Sequence, residues 1–410
     1  MDALRLLFAR LVRILGPDQR AVAQSAVALL ISIAATLAAG LALASAEERL
    51  SQLPGLLLLV PAAIAQRGNV FGALGSRLGT AIHTGEFALT RRVDTVFGQN
   101  VVASLALSTI AATWLAFVGW IFANVFGVPD AMGLLDFVAV SVVGGVLASL
   151  VVLAFTIALA AGSTRFGWDL DNVTAPLVTG TGDLVTLPAL ILGSMVVGPS
   201  QASEVLGVAL IAFALGVLMQ SIRSSLPLLR RIVFESLPVL GLASALSLVA
   251  GVGLERRLSS FLDQPALLIL VPAYFGMAGA LGGILSSRLG TKVHLGMIEP
   301  SPVPQRQAWL DIRSVAVLAI PIFALVGAAA HLASLLVGID GPGLGPMVAI
   351  STIAGGGATL VVLVVAYYGT LAAVRFRLDP DTATIPLTNS VLDLVGAFTL
   401  VATIVLLGVG

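Results

Sequence analysis

Cysteine is absent from all 410 residues. That single absence excludes disulfides, thiolate metal sites and cysteine nucleophiles together. Lysine is nearly absent too: the one copy, Lys292, follows Thr291, so no GxxxxGK[ST] loop exists and no Walker-type nucleotide site is expected. Transport by such a chain would run on a gradient. Charge is scarce, with Asp, Glu, Lys and Arg making up 10% of the residues against about a quarter in soluble domains. The 21 basic and 21 acidic residues cancel formally, which argues for neither a nucleic-acid nor an acidic partner.

What the chain has instead is apolar length. Hydrophobic residues make up 58% and the mean hydropathy is +1.07, values of a polytopic all-α membrane protein in a lipid bilayer. A span needs about 20 mostly apolar residues. Eleven stretches qualify, from 23–45 to 384–409, with the fifth near 174–198 and the sixth near 203–221. The basic, amphipathic residues 1–20 lack a small-residue cleavage site and read as a cytoplasmic surface helix rather than a processed signal.

The sequence repeats. "PAAIAQRGNVFGALGSRLGTAIHTGEF" from Pro61 aligns without gaps on "PAYFGMAGALGGILSSRLGTKVHLGMI" from Pro272, with 12 of 27 positions identical at an offset of 211. "DLDNVTAPLVTGTGDLV" from Asp169 aligns on "DPDTATIPLTNSVLDLV" from Asp379 at 8 of 17 positions, with an offset of 210. The chain therefore divides into an N-terminal segment 1–20, a five-span unit 21–200, a linking span with a basic loop at 201–230 and a second five-span unit 231–410. An odd number of spans per unit would invert the second copy, and one extra crossing restores its orientation. With the N-terminus inside, only Arg49, Arg256 and Arg257 fall outside and Arg67 falls within a span, leaving the other 17 basic residues cytoplasmic. That asymmetry is the usual orientation signal. The expectation is two parallel repeats about a pseudo-two-fold axis along the membrane normal.

Asp183 and Asp393 stand at equivalent places in the fifth span of each unit. A span beginning near Thr174 puts Asp183 about nine residues in, or ~13–14 Å, near the middle of a ~30 Å core. An ionised carboxylate there costs at least ~2.5–3.5 kcal/mol and normally faces a partner or a watery path. Two converging carboxylates repel unless a cation sits between them. A hard divalent ion suits that place, because Mg²⁺ takes six oxygens and keeps some of its water. Thr179, Asn389 and Thr388 are neutral oxygen donors within about one turn. Asp169 with Asp171, and Asp379 with Asp381, form acidic pairs just before these spans, either gathering cations at the cytoplasmic mouth or capping helix starts.

"SRLGTAIHTG", "SRLGTKVHLG", "PAAIAQRGN", "LDNVTAPLVTGTGDLV" and "LDPDTATIPLTNSVLDLV" resemble the membrane domain of MgtE-type magnesium transporters, in the two-repeat branch that includes solute carrier family 41. The resemblance covers both units. It implies Mg²⁺ movement between two five-span units, with Asp183 and Asp393 as ion ligands, Mn²⁺ or Co²⁺ as further candidates, no enzymatic activity, and a cell-membrane location. Bacterial members with one unit dimerise, so fusion of both units implies a monomer here. Two departures stand out. Gly68-Asn69 carries the family's Gly-Asn, but Gly279-Ala280 stands in the second unit, and Arg67 is matched by Ala278. Asn69 either lines the path or makes an interhelical hydrogen bond. Arg67 either pairs with an acid such as Asp183, or snorkels or bonds carbonyls.

Two rivals are weighed against this reading. "GTGD" at 180–183 fits the GxGD of intramembrane aspartyl proteases, but the first acid of that family follows a tyrosine, whereas Tyr274, Tyr367 and Tyr368 are followed by Phe, Tyr and Gly; "PAL" follows on the same span, and the second unit reads "SVLD". A proton- or Na⁺-coupled carrier of another solute also suits two midplane acids. His83 and His294 occupy equivalent places, but without a ligand-like spacing they read better as bonding at the cytoplasmic ends.

Overall fold

The computed structural model describes residues 19–167, 170–198, 201–294, 296–376 and 380–409. The expected surface helix at 1–18, and Trp168, Asp169 and Asp379, lie outside these residues. So do the side chains of His83, Asp171, His294 and Asp381.

The described residues form thirteen helices and no strand: α1 (Gln19–Ala44), α2 (Glu47–Gln52), α3 (Leu56–His83), α4 (Val96–Val125), α5 (Leu134–Phe166), α6 (Leu170–Ser194), α7 (Gln201–Ile222), α8 (Pro227–Glu255), α9 (Leu258–Asp263), α10 (Ala266–His294), α11 (Arg306–Val337), α12 (Leu344–Arg375) and α13 (Pro380–Leu406). Eleven of them are long and apolar enough to cross a membrane, so the chain is an all-α polytopic membrane protein. In lipid every backbone polar group must be satisfied within its own segment, which is why apolar runs of this length take the helix.

Order and length recur across the two units. Even the short helix between the first and second spans returns 211 residues later, as α2 and α9. The slip from 211 to 210 falls in the loop before the fourth span, where Gly133 caps the start of α5 and Gly343 that of α12. The second spans are the most enclosed: 89% of the apolar window of α3 and 94% of that of α10 is buried, against 17% for the linking span α7. The centre of the molecule is therefore α3 and α10, with α7 on the outside against α5, α4 and α8.

The two units meet reciprocally. Each first span packs on the other unit's second span, α1 on α10 and α8 on α3. Glycine permits the approach: a Cβ on Gly40 would stand 2.3 Å from the Ile269 carbonyl oxygen, and a Cβ on Gly251 would stand 2.0 Å from that of Leu58. Both pairs are related by the same 211-residue offset. Close backbone contact through small residues is the main source of packing energy between helices in lipid. One polar clamp is not repeated. The buried Glu255 carboxylate, at the end of α8, accepts from the backbone N–H of Gly55 (2.9 Å) and Leu58 (3.0 Å). These are the otherwise unpaired donors at the start of α3.

The "GGGA" stretch serves packing. Gly355 lies beneath the Phe323 ring, where a Cβ would come within 2.2 Å of it, and Gly357 lies against Thr399.

Candidate functional site

The fifth spans start earlier than the sequence suggests. α6 begins at Leu170 and α13 at Pro380, so Asp183 and Asp393 each sit thirteen residues into their helix, still near its middle. Pro176 and Pro386 lie inside these helices, and the apolar windows open at those prolines.

Asp183 exposes none of its surface, and among the described residues neither carboxylate oxygen has a hydrogen-bond partner. It faces the other unit. A Cβ on Gly276 of α10 would lie 2.7 Å from Asp183 Oδ2 and 2.8 Å from Thr36 Cγ2 of α1. Thr36 is at hand but commits its hydroxyl to the carbonyl of Ile33 at 3.1 Å. Asp393 is 7% exposed and accepts from the Ser247 hydroxyl of α8 at 2.5 Å. Thr36 and Ser247 are themselves repeat equivalents, 211 residues apart. Both carboxylate-bearing helices, α6 and α13, pack against α3 and α10 at the centre of the molecule.

The neutral donors gather in the same region. Thr179 Oγ1 stands 3.5 Å from the point where a Cβ on Gly68 would lie, and Asn389 Oδ1 stands 3.8 Å from the matching point on Gly279. Asn389 Nδ2 donates to Asn69 Oδ1 at 3.0 Å, joining α13 of one unit to α3 of the other. The Asn69 side chain is thus in an interhelical hydrogen bond while remaining beside the fifth span. Among the described residues Asn389 Oδ1 and the buried Thr388 hydroxyl have no partner, nor have the hydroxyls of Ser32, Thr186 and Ser390. Buried polar atoms in lipid-embedded protein are normally paired. Ser32 lies against Gly180 of α6, and Thr186, Thr388 and Ser390 stand within five residues of Asp183 or Asp393 on the fifth spans.

Of the acidic pairs at the helix starts, Asp169 and Asp379 lie outside the described residues, and for Asp171 and Asp381 only the backbone is described. Among the described residues no three or more His, Cys, Asp or Glu side chains converge. Among the described side chains a cation here would meet at most two carboxylates and would draw its other ligands from hydroxyl, amide or water oxygens, which suits a hard, hydrated ion better than a thiophilic or imidazole-seeking one.

Arg67 does not pair with Asp183. It is wholly buried, its Cβ lies against Gly182, and its guanidinium turns toward α4 and α5. A Cβ on Gly145 would be 2.6 Å from Nη2 and 3.0 Å from the Ala112 methyl. Nη1 donates to Gln66 Oε1 at 3.1 Å, and among the described residues Nε and Nη2 have no hydrogen-bond partner. The missing side chain at Gly145 leaves the space that the long Arg67 side chain enters.

Sequence reading alone missed Ser247, Thr36 and Gly276. The signal was present: carrying the 211-residue register back from Pro61 and Pro272 pairs Thr36 with Ser247, two hydroxyls at one level of the first spans.

Comparison with known proteins is consistent with this layout. The family model MgtE, described as a divalent cation transporter, matches residues 60–193 and again 271–403. Solute carrier family 41 member 2 of Xenopus laevis is 28% identical over 266 residues, covering 61% of this chain and 45% of that protein. The Homo sapiens protein of the same name is 27% identical over 261 residues, covering 61% and 44%. Solute carrier family 41 member 3 of Rattus norvegicus is 25% identical over 299 residues, covering 70% and 63%. The chain thus spans less than half the length of the first of these relatives. The crystal structure of the eukaryotic MATE transporter AtDTX14 aligns with 97% of this chain and 96% of its own at 14% identity, with a TM-score of 0.35. With one match in each unit, together covering more than half of its length, the chain belongs to the MgtE family of divalent cation transporters.

Proposed function

We propose that this protein carries Mg²⁺ across the cell membrane along a path between the two five-span units, 21–200 and 231–410, with Asp183 and Asp393 as the carboxylate ligands. The observation that carries the reading is the Asp183 carboxylate: fully buried, unpaired at both oxygens and turned toward the other unit. A bare carboxylate at that depth costs several kcal/mol, and a cation with its remaining water supplies what the protein leaves unsatisfied. Asn69, Thr179 and Asn389 offer neutral oxygens to the partly hydrated ion, and Asp169, Asp171, Asp379 and Asp381 attract cations to the cytoplasmic mouth. Mn²⁺ and Co²⁺, divalent and able to take oxygen ligands, are the next candidates after Mg²⁺.

Energy comes from the membrane. Two charges moving down the potential gain ~4.6 kcal/mol per 100 mV, twice the single-charge value, so inward flow needs no nucleotide. The function is transport rather than catalysis. The N-terminus is cytoplasmic and one chain carrying both units suffices as a monomer.

The test is Mg²⁺ flux into liposomes loaded with a fluorescent indicator. Asp183→Asn and Asp393→Asn are each expected to reduce flux at least ~100-fold, given that losing a charged ligand to a metal costs several kcal/mol. Native flux in both variants would overturn the assignment. A native protein that moves protons or Na⁺ but no divalent ion would replace it with a coupled carrier of another solute.

A further inference from the structure

The geometry points to Arg67 as a fixed intramembrane charge that weakens the hold of the path on its divalent cation, so that the ion is released rather than trapped. This rests on the reading of Asp183 and Asp393 as ligands, and it goes beyond it by assigning a role to a residue that touches neither.

The two units fill one equivalent place with different side chains. In the first unit, Arg67 of α3 and Ala112 of α4 lie over Gly145 of α5. In the second unit the corresponding positions are Ala278, Phe323 and Gly355, at offsets of 211, 211 and 210. There the Phe323 ring fills the space over the glycine, and a Cβ on Gly355 would stand 2.2 Å from the ring. The same register of hydroxyls confirms the equivalence: Ser149 donates to the Gly145 carbonyl at 2.6 Å and Thr359 to the Gly355 carbonyl at 2.7 Å. Phe323, wholly buried, also stacks on Tyr274 with ring centroids 5.5 Å apart. The packing problem at this place thus has an apolar solution, and the chain uses it once.

In the other unit the same volume is filled by a guanidinium, which stays protonated in proteins and has no carboxylate within ion-pair distance among the described residues. Two of its nitrogens lack a hydrogen-bond partner. Burying an uncompensated charge is a costly way to fill a gap. What it supplies that a phenyl ring does not is a field. Arg67 is rooted against Gly182, the residue before Asp183, and fields reach far in a water-poor interior. Passage requires binding strong enough to enter and weak enough to leave. Two carboxylates alone offer a divalent ion full neutralisation, and the guanidinium offsets part of it.

The test removes the charge while keeping the volume. The double substitution Arg67→Ala with Ala112→Phe copies the second unit's packing into the first, Arg67→Met keeps the chain length alone, and Arg67→Lys keeps the charge. Mg²⁺ binding is read from thermal-shift titration of purified protein, and half-saturation and maximal rate from liposome flux. The double variant and Arg67→Met are expected to bind Mg²⁺ about tenfold tighter or more, with half-saturation and maximal rate both falling. Arg67→Lys should stay near native on all three. Unchanged or weaker binding in both charge-free variants, while Asp183→Asn abolishes binding, would overturn the role of Arg67 and leave the site standing. Native Mg²⁺ binding in both Asp183→Asn and Asp393→Asn would remove the site, and this inference with it.

Discussion

Asp183 and Asp393 hold matched places in two related helices, yet one is bare and the other is held. Ser247 donates to Asp393, whereas its counterpart Thr36 spends its hydroxyl on the carbonyl of Ile33 and leaves Asp183 without a donor. The same divergence runs through the surroundings. Arg67 stands where the second unit has Ala278, and Asn69 where it has Ala280. The closest backbone approaches of the frame, apart from the unrepeated Glu255 clamp, show no such divergence: Gly40 on Ile269 and Gly251 on Leu58 are the same contact made twice. With each helix present twice, equivalent positions can diverge in side chain while the closest helix crossings are still built alike. Symmetric contacts should therefore respond alike to substitution, and the site residues unlike.

The frame gives the largest expected effect. Gly40→Val and Gly251→Val each drive a branched side chain into a facing backbone carbonyl that cannot move independently of its helix. Both should abolish the monodisperse peak in size-exclusion chromatography, and to the same degree. Tolerance of one but not the other would break the claim that the interface is reciprocal.

Next comes the place where the units differ in filling. Phe323→Ala removes a buried ring that nothing replaces and should cost ~3–5 kcal/mol, the usual toll for Phe→Ala in a core, seen as a large drop in melting temperature. Arg67→Met, on the other side, trades a guanidinium with two unpaired nitrogens for an apolar chain of similar length and should leave the melting temperature unchanged or raised. If Arg67→Met proves as destabilising as Phe323→Ala, Arg67 is a packing residue in the same sense as Phe323.

Much of this was legible in the sequence because hydropathy and internal repetition are one-dimensional signals. Eleven spans follow from apolar length, and the pairing of Asp183 with Asp393 follows from "GTGDLV" aligning on "SVLDLV". The position of Arg67 in the chain was legible, but its direction was not. A side chain on α3 can turn toward α6 or toward α4 and α5, and the choice is set by Gly145 and Ala112, residues 78 and 45 positions away whose smallness matters only once the helices are packed. The Asn69–Asn389 bond was hidden for a related reason: it joins residues 320 apart that are not repeat equivalents, so no alignment of one unit on the other brings them together. The Glu255 clamp on Gly55 and Leu58 lacks any repeat counterpart in sequence, since Ala44 stands at the matching position.

The smallest expected effect bears on the comparison most directly. Ser247→Ala deletes the hydroxyl that orients the Asp393 carboxylate, and outer partners of this kind typically account for about tenfold in metal affinity. Mg²⁺ affinity by thermal-shift titration should fall by about that factor, or ~1.4 kcal/mol. Thr36→Val is close to isosteric and removes a hydroxyl already committed to its own helix, so affinity should stay at the native value. Unequal responses would mean that Asp393 is a positioned ligand and Asp183 a free one, whose geometry is set by the ion and by Gly276 rather than by a donor. Equal losses would place Thr36 on Asp183 during transport, and the two units would then hold their carboxylates alike whenever an ion is bound.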